Sequence, residues 1–305
     1  MQTNLNRYSV IMVMHSSDLE LAKQNIPVIY HFLKPKKIVL ISGRDALSQI
    51  NQMKLPYIKF LDEDSIVPSL SFKKIETLIH LRCRHTKRAG WYFQQFLKMA
   101  YAEICEEKWY MVWDADTIPL RELPFFTEEG TGILDIKSEY HKPYFQTMKK
   151  LLDINRTIKG SFISEHMLIN KNVMTELIKQ IEGNKKIEGN IFFEKIIQVL
   201  SARELKENGF SEYETYGNFV LKNYPEIYTV RRLRTLREGK ILLGDCPNKE
   251  MIKWAGHSYD IISLEKYHRM NPVWGRCAKS FLHHFISMED MWNLYKKIYT
   301  GKYYE

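Results

Sequence analysis

Short, wholly apolar runs alternate along the first half of the chain with longer stretches in which apolar residues recur every three or four positions. Tyr8–Met14 reads as a strand that breaks at His15-Ser16-Ser17-Asp18, ahead of a helical pattern over Leu19–Leu33. Lys36–Ser42 repeats the design as a strand closed by Gly43 and followed by a helix-like Asp45–Gln52, and Tyr57–Leu61 predicts a third strand. A helical run over Trp91–Glu106 then leads into Tyr110–Trp113, which we expect to be a central strand. Strands alternating with helices predict an α/β fold with a mostly parallel sheet, Rossmann-like winding and helices on its faces.

Past Leu120 the pattern loosens. Gly130–Ile136 reads as a strand, Glu139–Phe145 as an aromatic, charged turn able to stack on a sugar ring or to form a satellite core, and Ser161–Asn170 as a strand with Glu165 and His166 in its middle. An ionisable pair is costly inside a strand, so one of the two is expected to face a cavity. Helices follow at Val173–Ile181 and Ile191–Leu200, a further helix opens at Phe210–Glu214, and Glu226–Val230 and Lys240–Leu243 read as short strands. The expected organisation is a first half over 1–125, a second over 126–265 and a C-terminal helical segment over 266–305.

The chemistry concentrates where Trp109-Tyr110-Met111-Val112-Trp113 ends in Asp114-Ala115-Asp116. In an extended segment residues i and i+2 share a side, so both carboxylates would serve one cation, and hard oxygen ligands suit Mg²⁺ or Mn²⁺. Asp62-Glu63-Asp64 also follows a strand-like run, but three adjacent acids followed by Ser-Ile-Val-Pro read as a solvated turn. No Gly-x-Gly-x-x-Gly follows the first strand, which leaves out a dinucleotide fingerprint.

An apolar strand, Asp-x-Asp and a Pro-containing turn resemble the metal and nucleotide-sugar site of GT-A glycosyltransferases. With Trp91–Lys98 and Phe210-Ser211-Glu212-Tyr213-Glu214-Thr215-Tyr216-Gly217, the resemblance extends over roughly residues 8–260 to a little-characterised bacterial family of that fold. It implies a metal-dependent enzyme that moves a sugar from a nucleotide-diphosphate donor, a UDP-sugar in the first instance, to a hydroxyl of a glycan or lipid-linked acceptor in surface polysaccharide synthesis. The half over 1–125 would bind the nucleotide-sugar and the half over 126–265 the acceptor; Asp114 and Asp116 would hold the metal, with Asp114 also near the donor. Arg88, at the end of a basic loop before a helix N-terminus, and Lys98 on that helix would face the donor nucleotide. His15 would touch its base or ribose, unless His15–Asp18 simply caps the following helix. Glu212 would be the general base of an inverting reaction. Glu214 is the second acid of that helix start, and a capping box with Ser211 accounts for it structurally. Some GT-A enzymes return a C-terminal His to the metal, and His257 after Gly256 is the best placed here.

Composition narrows the partners. The excess of 45 Lys+Arg over 36 Asp+Glu gives a net charge of +9 and favours anionic ligands. No nucleic-acid-binding module is recognisable, so a nucleotide diphosphate or an anionic membrane surface remains. Phe281–Tyr304 mixes Phe, Trp and Tyr with Lys296, Lys297 and Lys302, which suits peripheral binding to anionic lipid as well as a helix docked on the core. No apolar run reaches the length of about 18 residues that a membrane span needs, and a cytoplasmic protein is expected. Four cysteines without Cys-x-x-Cys spacing suggest reduced thiols. Two other readings stay open. Aspartyl-phosphate phosphatases also end a strand in Asp-x-Asp, although they place Thr or Val where Ile118 stands here, and a pseudoenzyme would keep the pocket without turnover.

Overall fold

The computed structural model describes residues 7–299. The strands are β1 (Tyr8–Val13), β2 (Ile38–Ser42), β3 (Ile58–Asp62), β4 (Trp109–Trp113), β5 (Thr117–Pro119), β6 (Gly132–Asp135), β7 (His166–Asn170), β8 (Tyr228–Arg231), β9 (Thr235–Leu236) and β10 (Ile261–Ser263). The α-helices are α1 (Leu19–Leu33), α2 (Leu47–Gln52), α3 (Phe72–Cys83), α4 (Ala89–Ala100), α5 (Lys142–Leu152), α6 (Lys171–Gly183) and α7 (Phe192–Val199). They continue with α8 (Ala202–Lys206), α9 (Glu212–Asn223), α10 (Lys240–Leu243), α11 (Lys249–Ser258), α12 (Pro272–Lys279) and α13 (Met288–Tyr299).

These elements form two compact units, and the chain passes between them repeatedly. The first takes the chain up to Ser17, Pro35–Trp113 and Pro124–Arg232; the second takes Asp18–Lys34, Asp114–Leu123 and the chain from Leu233 onward. In the first unit a five-stranded sheet runs β3-β2-β1-β4-β7. Its pairs are parallel except β4 with β7, where Trp113 lies opposite His166. Strands β1, β2, β4 and β7 are buried along their whole length, as continuous apolar runs covered on both faces should be, whereas edge strand β3 is only half-buried. This mixed, mostly parallel sheet flanked by helices is the architecture that the strand-helix alternation predicts. Gly217 in α9 marks a close approach, because a Cβ there would fall 2.3 Å from the Phe162 ring.

The second unit is built on a smaller sheet ordered β5-β10-β9, with β10 antiparallel to β5 and parallel to β9. Ile118, Leu120, Leu242, Leu243, Trp254 and Trp274 pack with Met288, Met291 and Trp292 into its core.

Three expected elements differ. Lys240–Leu243 is a helical turn, not a strand. The aromatic turn becomes the start of α5, with Pro143 in its first turn, where the missing N–H costs nothing. Of Ser161–Asn170 only His166–Asn170 is extended, because Glu165 takes a left-handed conformation at φ 60° and turns the chain just before β7.

Candidate metal site and the buried acids

Strand β4 ends at Trp113, and the chain then folds back at once. The Thr117 N–H donates to the Asp114 carbonyl at 3.0 Å, so Asp114-Ala115-Asp116 is a tight turn and not the extended segment that its spacing suggested. The turn is fixed from three sides within the second unit. Asn25, buried on α1, donates through Nδ2 to the Ala115 carbonyl at 2.8 Å, and the Leu264 N–H donates to the Asp116 carbonyl at 2.7 Å. Thr117 Oγ1 bonds Asp116 Oδ1 at 3.3 Å and lies 2.9 Å from Ser263 Oγ across the β5–β10 pair.

Asp116 is nonetheless partly buried and feels the negative charge of two other carboxylates. Burial first, then the charges of Asp114 and Glu265, push the Asp116 carboxyl up to about 7. Glu265 is the residue that sequence reasoning missed. It is 6% exposed, its Oε1 accepts from Arg237 Nε at 2.6 Å, and no hydrogen bond reaches its Oε2, which lies 3.4 Å from His268 Nε2. The signal was present: Glu265 closes the apolar run Ile261–Leu264 much as Asp114 closes β4.

Hard oxygens under mutual repulsion fit a divalent cation. Among the described residues no three His, Cys, Asp or Glu side chains gather into a closed metal cage. One or two protein carboxylates, with substrate phosphates and water completing the shell, is the usual way to hold Mg²⁺. His257 sits exposed on α11 and belongs to no such three-ligand group.

A pH dependence follows. Because the folded chain holds the Asp116 carboxyl above its ordinary 3.8, the metal-free protein has this group's full contribution to stability below about pH 4 and loses it as pH rises through about 7. A cation needs the deprotonated form, so Mn²⁺ affinity should rise over the same interval. Melting curves from pH 5 to 8 with and without Mn²⁺ should diverge as pH increases; parallel curves would contradict this.

The remaining candidates in the first unit have mostly structural partners. Lys98 (8% exposed) pairs with Glu212 (4% exposed) at 3.2 Å, and its Nζ lies 3.3 Å from the Tyr213 hydroxyl. The Glu212 N–H donates to Gln95 Oε1 at 3.1 Å, the third link between α4 and α9 at this point. Ser211 caps α9 by accepting from the Glu214 N–H at 3.2 Å, but the Glu214 side chain does not return to close the expected capping box. It accepts instead from Ser161 Oγ at 2.5 Å, the Phe162 N–H at 3.3 Å and Asn218 Nδ2 at 3.3 Å, although burial still pushes its carboxyl up. The complete capping box stands at Ser201 and Glu204. Ser211→Ala should cost about 1 kcal/mol of stability, and Glu214→Gln about 1–3 kcal/mol through its mismatched donors, both read as a melting shift with nucleotide affinity unchanged.

Arg88 is exposed at the start of α4, 5.9 Å from the Trp91 ring, and α4 has no side-chain cap. Its neighbour Arg82 is committed to the Gln198 and Leu200 carbonyls, each at 3.1 Å. His15 is exposed and bonds locally with Ser17. Glu165 and His166 are both buried and both have polar partners. His166 lies between the Ser164 carbonyl at 2.7 Å and Asp135 Oδ2 at 2.8 Å, Asp135 is held by Arg231, and Glu165 pairs with Lys137 at 2.5 Å. Asp62, the last residue of β3, is ion-paired with Arg44 and accepts from the Asp64 N–H.

The fold and the acidic turn together define an α/β protein whose strand β4 runs directly into a pinned Asp-Ala-Asp. The chain belongs to the family of unknown function DUF6492, which it matches over residues 26–278. No curated protein is similar to it in sequence. Among solved structures it is similar to mouse xyloside xylosyltransferase 1 in its apo form, at 14% identity over 84% of this chain and 96% of that one, with a TM-score of 0.44. Galactosyltransferase LgtC in complex with donor and acceptor sugar analogs is similar at 10% identity, 95% and 96% coverage and a TM-score of 0.41. Core-mannan synthase A from Aspergillus fumigatus, in a Mn/GDP form, is similar at 7% identity, 81% and 78% coverage and a TM-score of 0.47.

Proposed function

We propose that this chain is a metal-dependent glycosyltransferase of the GT-A type, moving a sugar from a nucleoside-diphosphate donor, UDP-sugar first, to a hydroxyl of a glycan or lipid-linked acceptor. The observation that carries the reading is the turn itself: Asn25, Leu264 and the Thr117–Ser263 pair hold Asp114-Ala115-Asp116 in place while its carboxylates repel. A Mn²⁺ or Mg²⁺ held by Asp114 and Asp116 would offset that repulsion and stabilise the negative charge that collects on the departing diphosphate. The chain's own contribution is preorganisation, since a turn fixed by its backbone need not move as charge develops.

Arg88 and the uncapped N–H groups of α4 are proposed as an anion contact for the donor, and His15 as a contact for its base or ribose. For Glu212 to accept a proton from an acceptor, its pair with Lys98 would first have to open. We assign the two residues to holding α9 against α4, and the inverting course expected from a Glu212 base loses that support. His257, exposed on α11, stays a proposed third metal ligand.

The test is a thermal-shift screen of UDP-, GDP-, CMP- and TDP-sugars with and without Mn²⁺. A donor present at a hundred times its dissociation constant should stabilise the chain by about 2.7 kcal/mol, and only with the metal. Stabilisation that survives a chelator would overturn the metal-dependent reading.

A further inference from the structure

Eight of the fourteen large apolar side chains exposed among the described residues fall between Tyr267 and Tyr299. Phe285 is 77% exposed, Ile298 59%, Val273 57% and Leu294 46%. Helix α13 buries Met288, Met291 and Trp292 in the core of the second unit, so its packing is already satisfied. Leu294 and Ile298, one turn apart, widen the apolar stripe onto solvent, which a helix docked only by its core face has no reason to do. The segment's own charge is one-sided, even with Lys266 paired to Asp18. Residues 266–299 carry six Lys and Arg, among them Lys296 and Lys297, against the two acids Glu289 and Asp290.

We propose that this segment is a docking surface for an anionic lipid bilayer, with the apolar side chains entering the interface and the lysines and arginines meeting the headgroups. The one-sided charge selects this occupant: a second copy of the chain would bring the same positive surplus against itself, whereas acidic headgroups satisfy the cations and the acyl boundary satisfies the apolar stripe. Among the described residues no helix is long and apolar enough to cross a membrane, so the contact is peripheral. Of the expected tail, Lys302 lies outside the described residues. The proposal deepens the transferase reading, on which the acceptor class rests, by favouring a lipid-linked acceptor presented at that surface.

Flotation of the 305-residue chain with vesicles tests it without metal or nucleotide. Neutral phosphatidylcholine vesicles should bind weakly, and vesicles containing about a third phosphatidylglycerol should bind strongly in low salt. The double variant Lys296→Glu/Lys297→Glu should lower partitioning onto the anionic vesicles by about thirtyfold or more. Leu294→Gln/Ile298→Gln should remove the binding that withstands salt, and both variants should melt as the parent does because the changed side chains are largely outside the core. Equal binding to neutral and anionic vesicles, or no binding to either, would overturn the proposal. So would a dimer in sedimentation that Leu294→Gln/Ile298→Gln dissolves. Failure here leaves Mn²⁺-dependent donor binding untouched, and failure of donor binding leaves vesicle binding untouched, so the two readings fall separately.

Discussion

Asp114→Asn and Asp116→Asn should each abolish most Mn²⁺-dependent nucleotide binding while raising the melting temperature of the metal-free chain. The gain and the loss have one cause. In the absence of a cation, Asp116 is partly buried and feels the charges of Asp114 and Glu265, and its carboxyl is pushed up to about 7. Removing one charge relieves that repulsion, for a gain on the order of 1 kcal/mol, or about 2–4 °C in a chain of this size. Asparagine keeps an oxygen for the bond from Thr117 Oγ1, so the turn survives. The same change takes an anionic ligand from the metal, and affinity should fall by at least the 10–100-fold typical of altering a metal's outer partners. Asp62→Asn and Asp64→Asn should leave Mn²⁺-dependent nucleotide binding unchanged, since Asp62 ends β3 paired with Arg44 and Asp64 is exposed beside it. Calorimetric titration of UDP with Mn²⁺, beside melting curves, reads both effects.

The second large effect belongs to the buried pair. Lys98→Met leaves the Glu212 carboxylate in the interior without its cation and should cost about 3–5 kcal/mol, roughly 10 °C of melting temperature. Lys98→Met/Glu212→Leu should recover most of that loss, since two apolar side chains leave no uncompensated charge. Donor affinity measured on folded protein should change little in either variant. If Glu212→Gln instead kept the melting temperature and removed turnover, Glu212 would be the acceptor's base and its pairing with Lys98 incidental.

What the sequence makes legible is periodicity and abrupt chemistry. Leu19–Leu33 is bounded by its own pattern and closes on Lys34 in a left-handed conformation, so helix α1 matches its expectation at both ends. The apolar run that ends in Asp-Ala-Asp marks both strand β4 and the turn proposed as the metal site. Lys240–Leu243 misleads because four residues with three apolar side chains fit a strand and a helical turn equally well, and the helix here is chosen by packing in the second unit. Ser211 and Glu214 have the spacing of a capping box, but the acid finds better donors on Ser161 and Phe162, far away in sequence. The same holds for Lys98 with Glu212 and for Asp116 with Glu265. No local pattern encodes pairings that only the folded chain creates.

The central claim is that the Asp114–Asp116 turn carries a metal used for sugar transfer, and release of UDP from UDP-sugars with Mn²⁺ present tests it most directly. We predict that the parent chain releases UDP slowly without acceptor, that a chelator stops the release, and that Asp116→Asn abolishes it at unchanged or higher melting temperature. Release that persists in the chelator and in Asp116→Asn, or hydrolysis of simple phosphate monoesters in place of UDP-sugars, would contradict the account.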